Sequence, residues 1–268
     1  HLVIIGILAV LLPAATLWAA DEPAVPGEKN FAEGEALLKK GQFEDALKSY
    51  AQALREDLDN QQYRAQYMLL RRVIKMRKAV EREKNPAKWW QTAVALRSFY
   101  HQYDLFDEIL ALAKEMHERK ESPESATMLA DAYLSLGQNA EAEKAISQIA
   151  TKDRTPQARA LLGIAQARQG KADAARKVLA GIEVPEGSGP RFLLDVARLR
   201  LLCGDQEGCY AMLTTTFEST TPSALPTMRA FTRSLPDFAV LAESDRFTEV
   251  LKTESKVPES DCSGGSDC

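Results

Sequence analysis

ATMLADAYLSLGQNAEA at residues 126–142 and RALLGIAQARQGKADAA at residues 159–175 carry one pattern written twice. With Gly137 set on Gly170, 33 positions later, Leu129, Ala130, Tyr133 and Ala142 fall on Leu162, Gly163, Gln166 and Ala175. Helix-forming residues fill both halves of each copy from Ala126 to Leu179. A period of that size marks stacked helical hairpins, each too small to bury its own apolar face and therefore dependent on its neighbours.

Each recurring residue has a physical task. The glycines end a first helix where a positive φ is needed, a conformation open to glycine at little cost. Ala130 and Gly163, with Ala142 and Ala175, are placed where the first helix crosses the second, and a larger side chain there costs about 1–3 kcal/mol in overpacking. The register continues to Gly204, 34 residues after Gly170, with Val196, Ala197, Cys209 and Leu213 in the matching places. Upstream, Ala93, Leu96, Tyr100, Phe106, Ile109 and Ala113 fit another copy in which Asp104 stands where the glycine is expected. At the front, Gly41, Phe43, Ala46, Tyr50 and Ala53 fit once more.

These residues resemble the tetratricopeptide repeat (TPR): a small residue and a Leu in the first helix, an aromatic one turn later, a turn glycine, then Ala and an aromatic or aliphatic residue in the second helix. The resemblance implies an all-α, TPR-like α-solenoid, a right-handed superhelix of about six helical hairpins over residues 30–217. Between Gln61 and Glu83 there is no turn glycine, and Tyr63, Tyr67, Leu70 and Ile74 recur every three or four positions. That segment reads as one long helix or two helices with a tight break.

The ends differ in character. Residues 1–20 hold an uncharged apolar run, Leu2–Ala20, interrupted by Gly6, Pro13 and Thr16, which reads as a secretory signal peptide or an uncleaved membrane anchor. Residues 21–29, with two prolines and a glycine, read as a linker. Residues 218–254 are expected to form capping helices over the open apolar end of the last hairpin, with Ser244 capping a final helix. Residues 255–268 read as a disordered, cysteine-containing tail. Export accords with four cysteines spaced as two pairs, Cys203 with Cys209 and Cys262 with Cys268, each a possible disulfide. Neither pair is a Cys-x-x-Cys, which leaves metal or redox use of these thiols as a weaker alternative.

The net charge is −4, with acidic and basic residues interspersed, which argues against a nucleic-acid partner. Arg71, Arg72, Lys75, Arg77, Lys78, Arg82 and Lys84 form a basic stretch that reads as a solvated helix face or as a docking face for an acidic partner or anionic lipid. Trp89 and Trp90 point about 100° apart on a helix, so one belongs to the core and the other is a possible contact anchor. The histidines at 1, 101 and 117 have no metal-ligand spacing, and no nucleophile elbow or phosphate loop is present, so neither an enzyme, a cofactor nor a metal is expected.

Projecting the repeat register places Val94, Ser98, His101, Thr127, Asp131, Ala160, Ile164, Arg168, Leu194 and Arg198 on or near the concave groove. A mixed groove of this kind suits an extended peptide or a partner helix. The expectation is an extracytoplasmic scaffold, in the bacterial periplasm or on the outer face of a membrane, that binds another envelope protein or peptide segment. The alternative is a structural subunit retained in a membrane or filament complex through residues 2–20.

Overall fold

The computed structural model describes residues 25–258, and the proposed signal or anchor segment and the Cys262/Cys268 pair lie outside them. The described residues contain no strand, and none of their helices is long and apolar enough to cross a membrane. The chain divides into two compact units, with the boundary after Ile74.

In the first unit, α1 (Glu28–Lys39) and α2 (Phe43–Glu56) form a hairpin, followed by the start of α3 (Gln61–Arg82). The linker expected to reach residue 29 therefore ends sooner: Gly27, at φ 81°, starts α1 and its amide donates to Glu56 Oε2 at 3.0 Å. Leu38, Phe43, Ala46, Tyr50 and Ala53 are fully buried. Phe31 stacks on Tyr63 with ring centroids 4.8 Å apart. A side chain at Gly34 would strike the Tyr50 ring at 2.6 Å, so that glycine exists to let the two helices close. Of the two readings of residues 61–83, the single helix is the one observed, at Gln61–Arg82.

In the second unit, four hairpins follow: α4 (Pro86–Gln102) with α5 (Phe106–Arg119), α6 (Pro123–Ser135) with α7 (Asn139–Ser147), α8 (Pro156–Arg168) with α9 (Ala172–Ala180), and α10 (Pro190–Leu202) with α11 (Gln206–Glu218). Each hairpin packs on the next, and the first helices α6, α8 and α10 lie side by side. Proline at the first helical position and a preceding cap, Asn85, Ser122 or Thr155, set the starts of α4, α6 and α8, since proline gives up only an amide that no helical partner would accept.

The hairpin turns are alike. Gly137, Gly170 and Gly204 have φ of 70°, 76° and 88°. In each case the next residue's amide reaches back to a carbonyl of the first helix: Gln138 to Tyr133, Lys171 to Gln166 and Asp205 to Arg200, all at 2.9 Å. Asp104 takes the same place in α4/α5 with φ 53°, the only non-glycine at positive φ among the described residues, and Leu105 donates to Tyr100 O at 3.0 Å. Aspartate tolerates the left-handed region better than most residues, which explains how this copy dispenses with glycine.

Gly163 does not serve the crossing inside its own hairpin. An added Cβ would lie 2.6 Å from Leu199 of α10, so the missing side chain makes room for the next repeat's first helix.

The last hairpin is closed by α12 (Leu225–Ser234), a 3-10 segment at Pro236–Leu241 and α13 (Asp245–Val250). Leu225, Phe238, Leu241, Phe247 and Leu251 bury themselves against Leu194, Ala197, Leu213 and Phe217. Ser244 accepts from the Phe247 amide at 3.3 Å and caps α13. The start of the segment read as a free tail is held: Lys256 donates its amide to Glu218 O at 2.8 Å and its ammonium lies 2.7 Å from the Glu218 carboxylate.

Candidate protein-binding surface

The first helices of the second unit carry an alternating row of guanidinium and carboxylate groups. Arg97 on α4 donates to Asp131 Oδ2 on α6, and Arg191 on α10 donates to Asp131 Oδ1 at 2.9 Å. Arg191 Nε lies 3.7 Å from Asp195, which also accepts from Arg198 Nη1 at 2.6 Å and from Gln157 Nε2 of α8. Arg198 Nε donates to Asp237 Oδ2 at 2.8 Å, and Arg168 of α8 donates through Nε and Nη2 to the two oxygens of Asp237 at 2.8 and 2.9 Å. The row ends where Arg168 Nη1 reaches Leu134 O at 2.9 Å.

The electrostatics differ along the row. Burial penalises Arg198, but Asp195 and Asp237 more than offset it and hold the guanidinium above its ordinary value. Burial also penalises Arg97; Asp131 does not make up the loss, Arg191 adds repulsion, and the group sits below its ordinary value. Burial pushes the Asp131 carboxyl up, yet Arg191, Arg97, His101 and Arg198 outweigh it and hold it well below the usual range. His101, 3.5 Å from Asp131, is pushed down to about 4, mainly by burial, with Arg97 and Arg191 assisting, so it is neutral at pH 7.

Beside the Arg97 and Arg191 end opens a cleft of about 540 Å³, within the range of binding pockets. Its walls include Met128 and Leu161 together with Arg97, Lys120 and Arg191. At the opposite end Asp237, from the chain's own C-terminal segment, fills the Arg168/Arg198 pair, while at the cleft end the Phe231 ring of α12 lies 4.7 Å from the Arg191 guanidinium.

The residues projected onto the groove separate accordingly. Ala160, Ile164 and Leu194 are fully buried and Arg198 is only 3% exposed, so these four are corrected from groove lining to interior positions. The physical reason is that α10 and the C-terminal segment cover the faces that a bare array would leave open. Arg168 is likewise engaged by Asp237. Thr127 and Asp131 line the open cleft, His101 and Ser98 line a second cleft of about 760 Å³ facing α12, and Val94 is half-buried on α4. Trp89 is core, its Nε1 donating to Val80 O at 3.0 Å, while Trp90 is half-buried with Lys120 Nζ 5.0 Å from its ring. In the basic stretch, Arg77 is drawn into an internal contact with Glu108 at 3.0 Å.

The Cys203–Cys209 bridge is not formed, and both are free thiols. Cys209 faces the core among Leu194, Ala197 and Leu213 while Cys203 ends α10 half-buried, and burial pushes the Cys209 thiol up to about 12. A thiol that stays protonated is a poor nucleophile and a poor metal ligand.

Register alone could have disclosed Arg97, which stands 34 residues before Asp131, with Ile164 and Arg198 following at the same repeat position. Asp237 lies beyond the repeats, so no register pointed to it.

The sequence profile of the tetratricopeptide repeat matches residues 31–71 and 127–189. Among solved structures, a tetratricopeptide repeat protein from Parabacteroides merdae is 16% identical and covers 85% of this chain and 98% of its own, with a TM-score of 0.42. No curated protein matches.

Proposed function

We propose that this chain, a tetratricopeptide repeat protein, is a non-catalytic scaffold that works outside the cytoplasm and binds a segment of another envelope protein. Tetratricopeptide repeats in general bind other proteins or peptides. The observation that carries the binding reading is the open cleft on α6 and α8: it joins apolar walls to cationic side chains, whereas the Arg168/Arg198 end of the row is closed by the chain itself. Mixed apolar and polar lining on a preformed surface suits an extended peptide. Export is supported by the uncharged Leu2–Ala20 run ahead of Asp21.

Photocrosslinking from position 127 in intact cells tests the binding reading. A discrete crosslinked protein is expected, and its absence from position 127 together with capture from an exposed second-helix position such as Ala174 would reject this surface. Fractionation and the intact mass of the native protein test the setting: a mature start near Ala20 or Asp21 supports export with cleavage. The retained segment would instead support the second reading, a subunit anchored in a membrane complex through residues 2–20.

A further inference from the structure

The Arg/Asp row contains four guanidiniums, Arg97, Arg191, Arg198 and Arg168, against three carboxylates, Asp131, Asp195 and Asp237. The surplus is not shared evenly. Arg168 and Arg198 each bind Asp237, and Arg198 binds Asp195 as well, so that end is satisfied. At the other end Arg97 has Asp131 as its anion, and its buried Nε has no hydrogen-bond partner. A buried donor without a partner is costly, so the Arg97 end of the row is the end short of negative charge.

Arg97 also lines the 540 Å³ cleft, where Arg97, Lys120 and Arg191 outnumber the lining carboxylates Glu124 and Asp131. Asp131 is already neutralised by two arginines. The amides that usually help hold a chain-terminal carboxylate are engaged nearby: Ser122 accepts from Ser125 N at 3.2 Å and Thr155 from Ala158 N at 3.1 Å. Side-chain cations, with Met128 and Leu161 beside them, are what the cleft offers.

We propose that this cleft recognises an acidic side chain within an extended, apolar segment of the partner, the carboxylate pairing with Arg97 and Lys120 while neighbouring apolar side chains cover Met128 and Leu161. This deepens the scaffold reading and rests on it. The carboxylate completes the alternation of the row, so binding is selective for charge as well as for shape, and it weakens with salt.

The test uses the full chain and two libraries of N-acetylated, C-amidated nonapeptides. One has Glu at the centre and varied apolar flanks, and the other has Gln there. Fluorescence polarisation is expected to show the Glu library bound about ten-fold more tightly, a preference that shrinks in Lys120→Gln. Lys120→Gln disturbs no buried pair, whereas Arg97→Gln strips a partner from Asp131 and is compared only after its helicity is matched to the parent. Equal binding of the two libraries, binding that requires a free C-terminal carboxylate, or no binding by either library would overturn the proposal. The crosslink from position 127 is read separately: if it persists in Lys120→Gln and the libraries bind equally, the scaffold stands and the acidic ligand falls.

Discussion

Asp237 lies between Arg168 and Arg198, accepting from both at 2.8 Å although it belongs to neither of their repeats. One carboxylate from the C-terminal segment thereby ties the first helices of two successive hairpins to the cap. Burial makes the arrangement brittle: the side chains of Arg198 and Asp237 are each 4% exposed and that of Arg168 is 12% exposed. Removing one partner of such a set leaves charge stranded away from water.

Asp237→Ala is therefore expected to cost about 3 kcal/mol in urea unfolding, the usual scale for breaking a buried pair by deleting one member. The loss should concentrate in the cap. Hydrogen exchange of amides in residues 225–251 is expected to accelerate well before that of α6 and α7, and uniform acceleration would contradict the latch.

His101 makes stability depend on pH in a specific window. Its folded pKa, about 4, lies below its ordinary value of 6.5, so between these values the unfolded chain binds a proton that the folded chain refuses. Stability thus rises with pH across that interval and is lost as pH falls from 6.5 towards 4, by on the order of 3 kcal/mol from this residue. His101→Gln should flatten the slope of unfolding free energy there. Asp131 and Asp237 act lower, because their folded values are depressed: their contribution is intact above the unfolded carboxylate value and disappears only as pH drops below it.

Two glycines should fail for different reasons. At Gly137, φ is 70° and an added Cβ meets nothing, so Gly137→Ala costs about 1 kcal/mol in backbone conformation alone. At Gly163 the backbone is ordinary helix but Leu199 fills the space at 2.6 Å. Gly163→Val should cost about 2 kcal/mol through overpacking, and Leu199→Ala in the same chain should recover part of it. A double-mutant cycle by chemical denaturation separates the cases, since no second-site truncation relieves the turn.

The contrast shows what the sequence could disclose. Turn glycines and crossing residues repeat every 33 or 34 positions, so the hairpins and even the Asp104 turn were legible from spacing. The ion row was only half legible. Asp131 and Arg198 recur in register with Arg97, but a register cannot tell whether a position faces solvent or the neighbour that covers it. Ile164 and Leu194 were misplaced for that reason, and Asp237 escaped notice because its partners lie 69 and 39 residues away outside any period. Burial depends on which element closes the array, and a C-terminal segment without the repeat pattern does so here.

The thiols supply the last prediction. Cys209 is buried with its pKa raised to about 12, whereas Cys203 is half-buried at a helix end. Alkylation by iodoacetamide requires thiolate and access, so in folded protein Cys203 should react before Cys209, which should wait for unfolding. Peptide mapping of partially labelled protein reads the order. Rapid native labelling of Cys209 would mean that its side of α11 opens, and recovery of a Cys203–Cys209 peptide from unreduced protein would restore the short bridge that the spacing suggested. In the arrangement observed, Cys209 serves as a small apolar side chain beside Leu213, and Cys209→Ala should cost about 1 kcal/mol by loss of packing, with no change in partner capture from position 127.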